Sequence, residues 1–97
     1  MHCMAILTIR RSAQFKKDLR LLNKRGYNFD LLDVVVETLA NKQELPPKYK
    51  NHALGGNYKG YFECHIKPNW LLVYKIDNNE LILILSRTGT HSDLFKK

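Results

Sequence analysis

Hydrophobic and polar positions change their spacing along the chain, and these changes divide its first part into a strand and a helix. Ile, Leu and Thr residues follow an extended pattern from Ala5 to Ile9, which predicts a strand. Phe15, Leu19 and Leu22 then recur at helical spacing, so they share one face of a predicted helix. Ser12 can cap the start of this helix, because its hydroxyl can accept a hydrogen bond from a backbone N–H.

A second helix is predicted directly after the first. Gly26 is suited to end the first helix, because glycine adopts the left-handed conformation without a steric penalty. Asn28 can cap the second helix, and Asp30 places a negative charge near its positive start. Three consecutive valines, 34–36, are also compatible with a strand, but their flanking residues and the length of the segment favour a helix. The apolar stripe of this helix consists of Leu31, Leu32, Val35, Val36 and Leu39.

The segment from Asn41 to Tyr58 has no regular spacing and contains two prolines and two glycines. Irregular segments of this length are unusual in a small domain, and they are commonly functional or partner-binding. We therefore expect this segment to contribute to a binding site or an active site.

Three strands are predicted in the second half of the chain: Tyr61 to Ile66, Trp70 to Ile76, and Leu81 to Arg87. Residues 67–69 and 77–79 have the composition of hairpin turns, so the three strands should form an antiparallel meander. Residues 81–85 are all apolar, which predicts that the third strand is central and covered on both faces.

Together these elements predict an α+β fold, in which an N-terminal strand and two helices pack with a mostly antiparallel sheet that the C-terminal meander completes. Ninety-seven residues support one domain, 1–97, and exclude a multidomain enzyme. The longest apolar run is too short to span a bilayer, and the first residues lack a secretory-signal pattern, so no membrane partner is expected. Cys3 and Cys64 form no disulfide framework and suit a reducing compartment, so we expect a cytoplasmic protein.

Positive charge is concentrated early in the chain. The sequence has 16 Lys and Arg against 9 Asp and Glu, a formal net charge of +7, and residues 10–25 carry seven cations and one anion. Lys16, Lys17, Arg20 and Lys24 fall on the side of the first predicted helix opposite its apolar face. A solvated helix surface and a nucleic-acid docking surface are both compatible with this pattern.

Three histidines and an arginine can meet on one face of the predicted sheet. His52 lies in the irregular segment, and alternation places His65 on the polar face of its strand rather than in the core. Arg87 closes the last strand, and a short turn then leads to His91. Because antiparallel neighbours bring the end of one strand near the start of the next, these four side chains can lie close together.

Histidines in such a group suit acid–base chemistry, because imidazole can donate and accept a proton near neutral pH. Cleavage of RNA by its own 2′-hydroxyl needs a base, an acid and cations that stabilise the crowded phosphorane. The histidines with Lys59, Lys67 or Arg87 would supply these groups without a metal. Unrelated surface histidines are the alternative, and the pattern alone leaves both interpretations open.

The motifs predict neither a metal site nor a cofactor. Cys64 and His65 are adjacent on a strand, so their side chains point to opposite faces, and no C-x-x-C or H-x-x-x-H spacing occurs elsewhere. Gly55 and Gly56 lack the spacing and the lysine of a phosphate-binding loop.

Three segments together resemble one family: HALGGNYKGY at residues 52–61, HIKPNWLLVY at 65–74 and RTGTHSDLF at 87–95. They are similar to the YafQ-type toxins of the RelE/ParE superfamily. The resemblance implies a RelE-like fold and a bacterial type II toxin, an endoribonuclease that cuts mRNA in the ribosomal A site during translation. It also implies a cognate antitoxin that wraps the toxin, with operator DNA bound only through the toxin–antitoxin complex.

The same resemblance implies roles for individual residues. His52, His65 and His91 match the active-site histidines of the family, with His91 as the general acid, and Arg87 matches a position suited to phosphate stabilisation. Four positions are expected to line the site, and the basic helix is expected to dock on ribosomal RNA. The lining residues are Lys59, Asn69, Trp70 and Phe95, and the docking residues are Lys16, Lys17, Arg20 and Lys24.

Asn69 departs from the family pattern, which commonly has aspartate at this position. If that carboxylate acts as a base or raises a histidine pKa, activity here should be weaker or shifted in pH; if it only orients groups, little should change.

Two other functions stay open: a ParE-like inhibitor of DNA gyrase that acts by binding on the same scaffold, and a non-enzymatic basic RNA-binding module. Tyr74 is predicted to be a core residue.

Overall fold

The computed structural model describes residues 6–95, which form one five-stranded sheet with helices on both faces. Two single 3₁₀ turns, Pro47–Tyr49 and Gly56–Tyr58, interrupt the long segment between the second helix and the meander. The elements in chain order are β1 (Thr8–Arg11), α1 (Ala13–Lys24), α2 (Phe29–Ala40), β2 (His52–Ala53), β3 (Phe62–Lys67), β4 (Trp70–Asp77), β5 (Ile82–Gly89) and α3 (His91–Leu94).

The strand order in the sheet is β1-β5-β4-β3-β2. β1 runs parallel to β5, and the other three pairings are antiparallel, which confirms the predicted α+β fold with a mostly antiparallel sheet. The prediction that β5 is covered on both faces was wrong. Leu83 and Leu85 are buried under the helices, but Ile82 and Ile84 on the other face are only half-buried. The middle strand is β4, since β1 joins the sheet beyond β5.

Both long helices begin at the predicted caps. Ser12 Oγ accepts a hydrogen bond of 2.9 Å from the Phe15 N–H, and Asn28 Oδ1 accepts one of 3.0 Å from the Asp30 N–H. Gly26 follows α1 with a φ of +80°, the left-handed conformation expected there. The three valines are helical, which confirms α2 as a helix.

The first strand begins later than predicted. It spans Thr8–Arg11 rather than residues 5–9, and Ala5 lies outside the described part of the chain. Arg10 and Arg11 therefore belong to β1 and not to the basic helix. The difference arises because pairing with β5 sets this strand's extent, and a parallel partner more than 70 residues away leaves no local pattern.

Apolar side chains cover the sheet on both faces, but unequally. The larger cluster lies between the sheet and helices α1 and α2, with Phe15, Leu22 and Val35 among its buried members. The smaller cluster lies on the opposite face, where Leu94 of α3 packs on Leu71 and Val73 of β4. This smaller cluster supports the segment that carries the candidate site. Across residues 6–95, we find no helix with the length and apolar character needed to cross a membrane.

Candidate active site

Three histidines form a row on the sheet face that α3 covers. His52 lies on β2, His65 on β3, and His91 is the first residue of α3. The ring centres of His52 and His65 are 6.4 Å apart, and those of His65 and His91 are 6.1 Å apart. The structure thus brings together the three histidines that the sequence singled out. We call this group the histidine row.

His52 contacts an oxygen at each ring nitrogen. Its Nδ1 lies 2.7 Å from the Lys50 carbonyl oxygen, and its Nε2 lies 3.3 Å from Oε1 of Glu63, its partner in the β2–β3 register. The Nδ1 contact is a hydrogen bond in which the ring donates to the carbonyl oxygen, and the Glu63 contact is an ion pair only when the ring is protonated. Glu63 is buried, so its side chain gives the exposed His52 ring a neighbour that is fixed in place.

His65 occupies the centre of the histidine row and is half-buried. Its Nδ1 lies 3.3 Å from the Pro68 carbonyl oxygen in the turn that follows β3. A carbonyl can only accept a hydrogen bond, so this contact places the proton on Nδ1 and leaves the Nε2 lone pair free. A neutral imidazole in this tautomer can accept a proton from a substrate.

His91 follows a sharp turn at the end of β5, and this turn determines its position. Thr90 and Asp93 form a reciprocal capping box at the start of α3. Gly89 has a φ of +153°, and a Cβ at this position would lie 3.0 Å from Cβ and Oδ2 of Asp93. Glycine is therefore required for the close approach of β5 to α3. The Phe95 ring, 37% exposed, lies 6.0 Å from the His91 ring and extends the row.

Arg87 is held in place by a carboxylate of α1. Its Nε and Nη2 donate hydrogen bonds of 2.9 and 3.3 Å to Asp18, and Nη2 also donates one of 3.4 Å to the Asp93 carbonyl oxygen. The hydrogen bond from Asp18 raises the pKa of Arg87 above its ordinary value. The backbone N–H of Thr88 donates a further hydrogen bond of 3.1 Å to Asp18. Asp18 thus fixes the end of β5 through three donors.

A second ion pair ties α3 to the end of α1. Arg25 donates two hydrogen bonds to the Asp93 carboxylate, of 2.8 and 3.1 Å. The Arg25 guanidinium, aided by the Thr90 donors, holds the pKa of Asp93 well below its usual range. Both pairs therefore attach the segment that carries His91 to the first helix.

Sequence reasoning missed the acidic partners Asp18, Glu63 and Asp93. Asp18 follows Phe15 by three residues and precedes Leu22 by four, so helical spacing alone places it on the apolar face of α1. Glu63 alternates with His65 on β3, which assigned it to the same face. A buried acidic residue needs a partner, and that rule applied to these positions would have indicated an ion pair.

Trp70 does not line the histidine row, and that prediction was wrong. The side chain is 1% exposed, packs edge-on against Tyr27 at 4.9 Å, and its Nε1 donates a hydrogen bond of 2.8 Å to Thr88 Oγ1. Alternation along β4 explains its place, because Leu71 and Val73 face the row and Trp70 and Leu72 face the helices.

The remaining predicted lining residues, Lys59 and Asn69, lie at exposed positions. Asn69 is in the turn between β3 and β4, one residue after the carbonyl that contacts His65, and it lines a separate pocket of about 470 Å³ with Lys67 and Tyr27. Lys59 follows the second 3₁₀ turn and is exposed. Within residues 6–95, neither side chain forms a hydrogen bond with a histidine. Tyr74 is buried, as predicted, and its hydroxyl donates to Asn51 Oδ1 at 2.6 Å.

The basic surface lies apart from the row. Lys16, Lys17, Arg20 and Lys24 are all exposed on α1, and none of the ion pairs found in residues 6–95 involves them. The other three cations of residues 10–25 differ, since two lie in β1 and Arg25 pairs with Asp93. We call the four exposed cations of α1 the basic helix face.

No group of three or more His, Cys, Asp or Glu side chains in the described part of the chain has the geometry of a metal site. Cys64 is fully buried, and desolvation followed by the nearby Glu63 charge raises the pKa of its thiol to about 12. This thiol therefore stays protonated and unreactive in the core.

Comparison with known proteins gives a consistent assignment. The model of a family described as the YafQ bacterial toxin of type II toxin–antitoxin systems matches residues 7–96. The mRNA interferase toxin YafQ of Escherichia coli strain K12 is 40% identical over 85 residues, covering 87% of this chain and 90% of the relative.

Solved structures agree with these sequence matches. A metal-bound toxin from Helicobacter pylori has 52% identity and a TM-score of 0.87, over 92% of this chain and 99% of that one. The toxin in the E. coli DinJ–YafQ toxin–antitoxin complex has 38% identity and a TM-score of 0.84, over 93% and 98% of the two chains. The predicted family is therefore confirmed, and the chain belongs to the YafQ family of bacterial toxins from type II toxin–antitoxin systems.

Proposed function

We propose that this protein is a ribosome-dependent endoribonuclease that cleaves translated mRNA in the A site by metal-free acid–base catalysis. The observation that carries the proposal is the histidine row, in which successive ring centres are about 6 Å apart and each ring has a different environment. The E. coli relative is an mRNA interferase, which agrees with this chemistry.

His65 is the general base in the proposed reaction. Its free Nε2 takes the proton of the ribose 2′-hydroxyl, and the 2′-oxygen then attacks the adjacent phosphorus. The bond from phosphorus to the 5′-oxygen breaks, and His91 donates a proton to that leaving oxygen. The products are a 2′,3′-cyclic phosphate and a 5′-hydroxyl end, and the two histidines exchange protonation states.

Cations around the row stabilise the phosphorane. Arg87 on β5 and, when its ring is protonated, His52 on β2 supply positive charge from strands on opposite sides of β3, which carries His65. Arg87 uses Nε and Nη2 to contact protein oxygens, so its Nη1 is the group that we assign to the phosphate. Phe95 offers a ring for stacking on an unpaired base, and the exposed Lys59 and Asn69 would contact the RNA beyond the row.

Recognition of the ribosome is assigned to the basic helix face. Four exposed lysine and arginine side chains on one helix complement the negative charge of ribosomal RNA. Asp18, the one anion of α1, is buried and paired with Arg87. Docking and chemistry would thus use different surfaces of the molecule.

A cognate antitoxin is the second proposed partner. The E. coli relative has been seen in complex with the antitoxin DinJ. By analogy, an antitoxin would wrap this toxin in the bacterial cytoplasm, and the complex rather than the toxin alone would contact operator DNA.

Mapping of mRNA 5′ ends on stalled ribosomes after expression of the chain alone tests the proposal. We expect cuts in phase with codons, and we expect His91→Ala to remove them, with a loss of roughly 100-fold or more in cleavage rate. Ser92→Ala, on the exposed side of the same short helix, is the matched control and should cut normally. Growth arrest with intact mRNA and failing DNA supercoiling would instead support gyrase inhibition, and ribosome binding without any cuts would support a binding module.

A further inference from the structure

A second pocket opens beside the central histidine. It has a volume of about 450 Å³ and lies between α2, the first 3₁₀ turn and the end of β3. Small-molecule sites in proteins have volumes of roughly 300–1,000 Å³, so the pocket has room for one nucleotide. The lining residues that matter here are Leu31, Lys48, Tyr49, Lys50, His65 and Lys67.

We propose that this pocket binds the mRNA nucleotide next to the cleaved phosphodiester and contributes to the choice of cleavage sequence. The inference rests on the proposed endoribonuclease function and adds a nucleotide subsite to it. We call this pocket the lysine pocket.

The charge of the lysine pocket suits a phosphate. Lys48, Lys50 and Lys67 line it, and no acidic residue does. In the described part of the chain none of these three lysines is paired with a carboxylate, so their charge is available to a ligand. A lysine ammonium acts on a phosphate as a point charge that can follow the ligand, because its stem is flexible.

The apolar part of the pocket suits a nucleobase. Leu31 of α2 is partly exposed at this surface and lines the pocket. The Lys48 ammonium lies 5.2 Å from the centre of the Tyr49 ring, which holds this cation at the pocket beside an aromatic side chain. A base would therefore contact apolar and aromatic surface while its phosphate meets the lysines.

The lysine pocket is joined to the histidine row by two direct links. His65 lines the pocket and is also the centre of the row, so an occupant would lie beside the proposed base. The Lys50 carbonyl accepts the hydrogen bond from His52, and Lys50 itself has a φ of +49°, which a non-glycine residue rarely adopts. Lys50 therefore lies between the pocket and the row, and strained residues of this kind are often found at functional sites.

Binding can be tested without cleavage by using chain that carries His91→Ala and is labelled with ¹⁵N. The probes are the four nucleoside 5′-monophosphates, the matching nucleosides and inorganic phosphate, each titrated to about 10 mM. We expect saturable amide shifts at Lys48, Ile66 and Lys67 with the monophosphates, with at least about tenfold weaker binding of nucleosides and of phosphate alone. Shifts confined to α1, equal binding of free phosphate, or no shift at these positions would each overturn the inference.

Cleavage gives an independent readout. We expect the double variant Lys48→Gln/Lys67→Gln to raise KM for ribosome-bound mRNA several-fold with little change in kcat, and Tyr49→Leu to alter the bases found next to the cuts. Lys42→Gln is the matched control, because Lys42 lines a different pocket with Leu39 and Gln43. Unchanged KM and unchanged cut sequences in these variants would overturn the subsite while leaving the endoribonuclease intact. A wild-type chain that binds nucleotides in the titration but makes no cuts would overturn the endoribonuclease and leave only a nucleotide-binding pocket.

Discussion

The basic helix face and the histidine row carry charge in opposite ways. On α1, Lys16, Lys17 and Arg20 extend into solvent without ion-pair partners among the described residues. At the row, cationic groups are tied to buried or half-buried carboxylates, as in the pairs of Arg87 with Asp18 and of Arg25 with Asp93. Unpaired surface charge can follow a large polyanion, whereas paired charge holds a fixed geometry. Under the proposed function, net charge would mark where the protein docks, and internal pairing would mark where it reacts.

Charge reversal on the basic helix face should have the largest effect of the changes considered, a loss of ribosome association. With Lys16, Lys17 and Arg20 all changed to Glu, we expect ribosome association to fall by roughly 100-fold or more at low salt and the salt dependence to flatten, because about three phosphate contacts are lost. Sedimentation of the toxin with ribosomes over a salt series measures both effects. Lys42→Glu, an exposed change elsewhere, is the control. Unaltered binding at low salt would mean that the helix face is only solvated.

Removal of the charge of Asp18 should damage the row without touching the docking surface. Asp18→Asn leaves Arg87 half-buried without its counter-charge, so we expect a loss of about 1–3 kcal/mol in the free energy of unfolding. We also expect slower cleavage with normal ribosome association. Urea denaturation and the sedimentation assay measure these quantities, with Asp33→Asn on the exposed face of α2 as the control. Weakened ribosome binding in Asp18→Asn would show that the two regions are not separate.

The Arg25–Asp93 pair should make the stability of the folded chain depend on pH in the acid range. The pKa of Asp93 is lowered in the folded state, so ionised Asp93 favours folding above its unfolded pKa of about 3.9, and this contribution is lost as the pH falls below that value. Asp93→Asn keeps the shape of the cap but not the charge. We therefore expect its thermal midpoint to be below that of the wild type at pH 7 and to approach it below about pH 4. A gap that is constant with pH would contradict the role of the charge.

Asn69→Asp should have the smallest effect, and its result shows whether residue 69 belongs to the reacting groups of the row. Asn69 is exposed, and the Pro68 carbonyl, rather than its side chain, contacts His65. We expect an unchanged fold and an apparent pKa of cleavage raised by less than about one unit, because a nearby solvated carboxylate stabilises an imidazolium only weakly. The pH–rate profile measures this shift. A shift of several units would place residue 69 within the reacting groups.

Sequence reasoning succeeded where local spacing determines structure. The periodicities of 3.6 and 2 residues located α1, α2 and the meander, and the match to family motifs located His52, His65 and His91. It failed where distant segments decide the outcome. The extent of β1 depends on β5, and the burial of Trp70 depends on which side of the sheet the helices cover. The Arg25–Asp93 pair joins residues 68 positions apart, and no local pattern records such a contact.

Substitution of Gly89 is one way in which a cell could lose the activity of this toxin while every histidine stays in the sequence. Asp93 occupies the space into which a side chain at position 89 would extend. A Cβ at this left-handed backbone position would lie 3.0 Å from Asp93, so we expect a larger residue to shift the carboxylate that holds both Arg25 and the start of α3, and His91 with it. A genetic selection for survivors of toxin expression should therefore recover substitutions of this glycine among its inactive alleles.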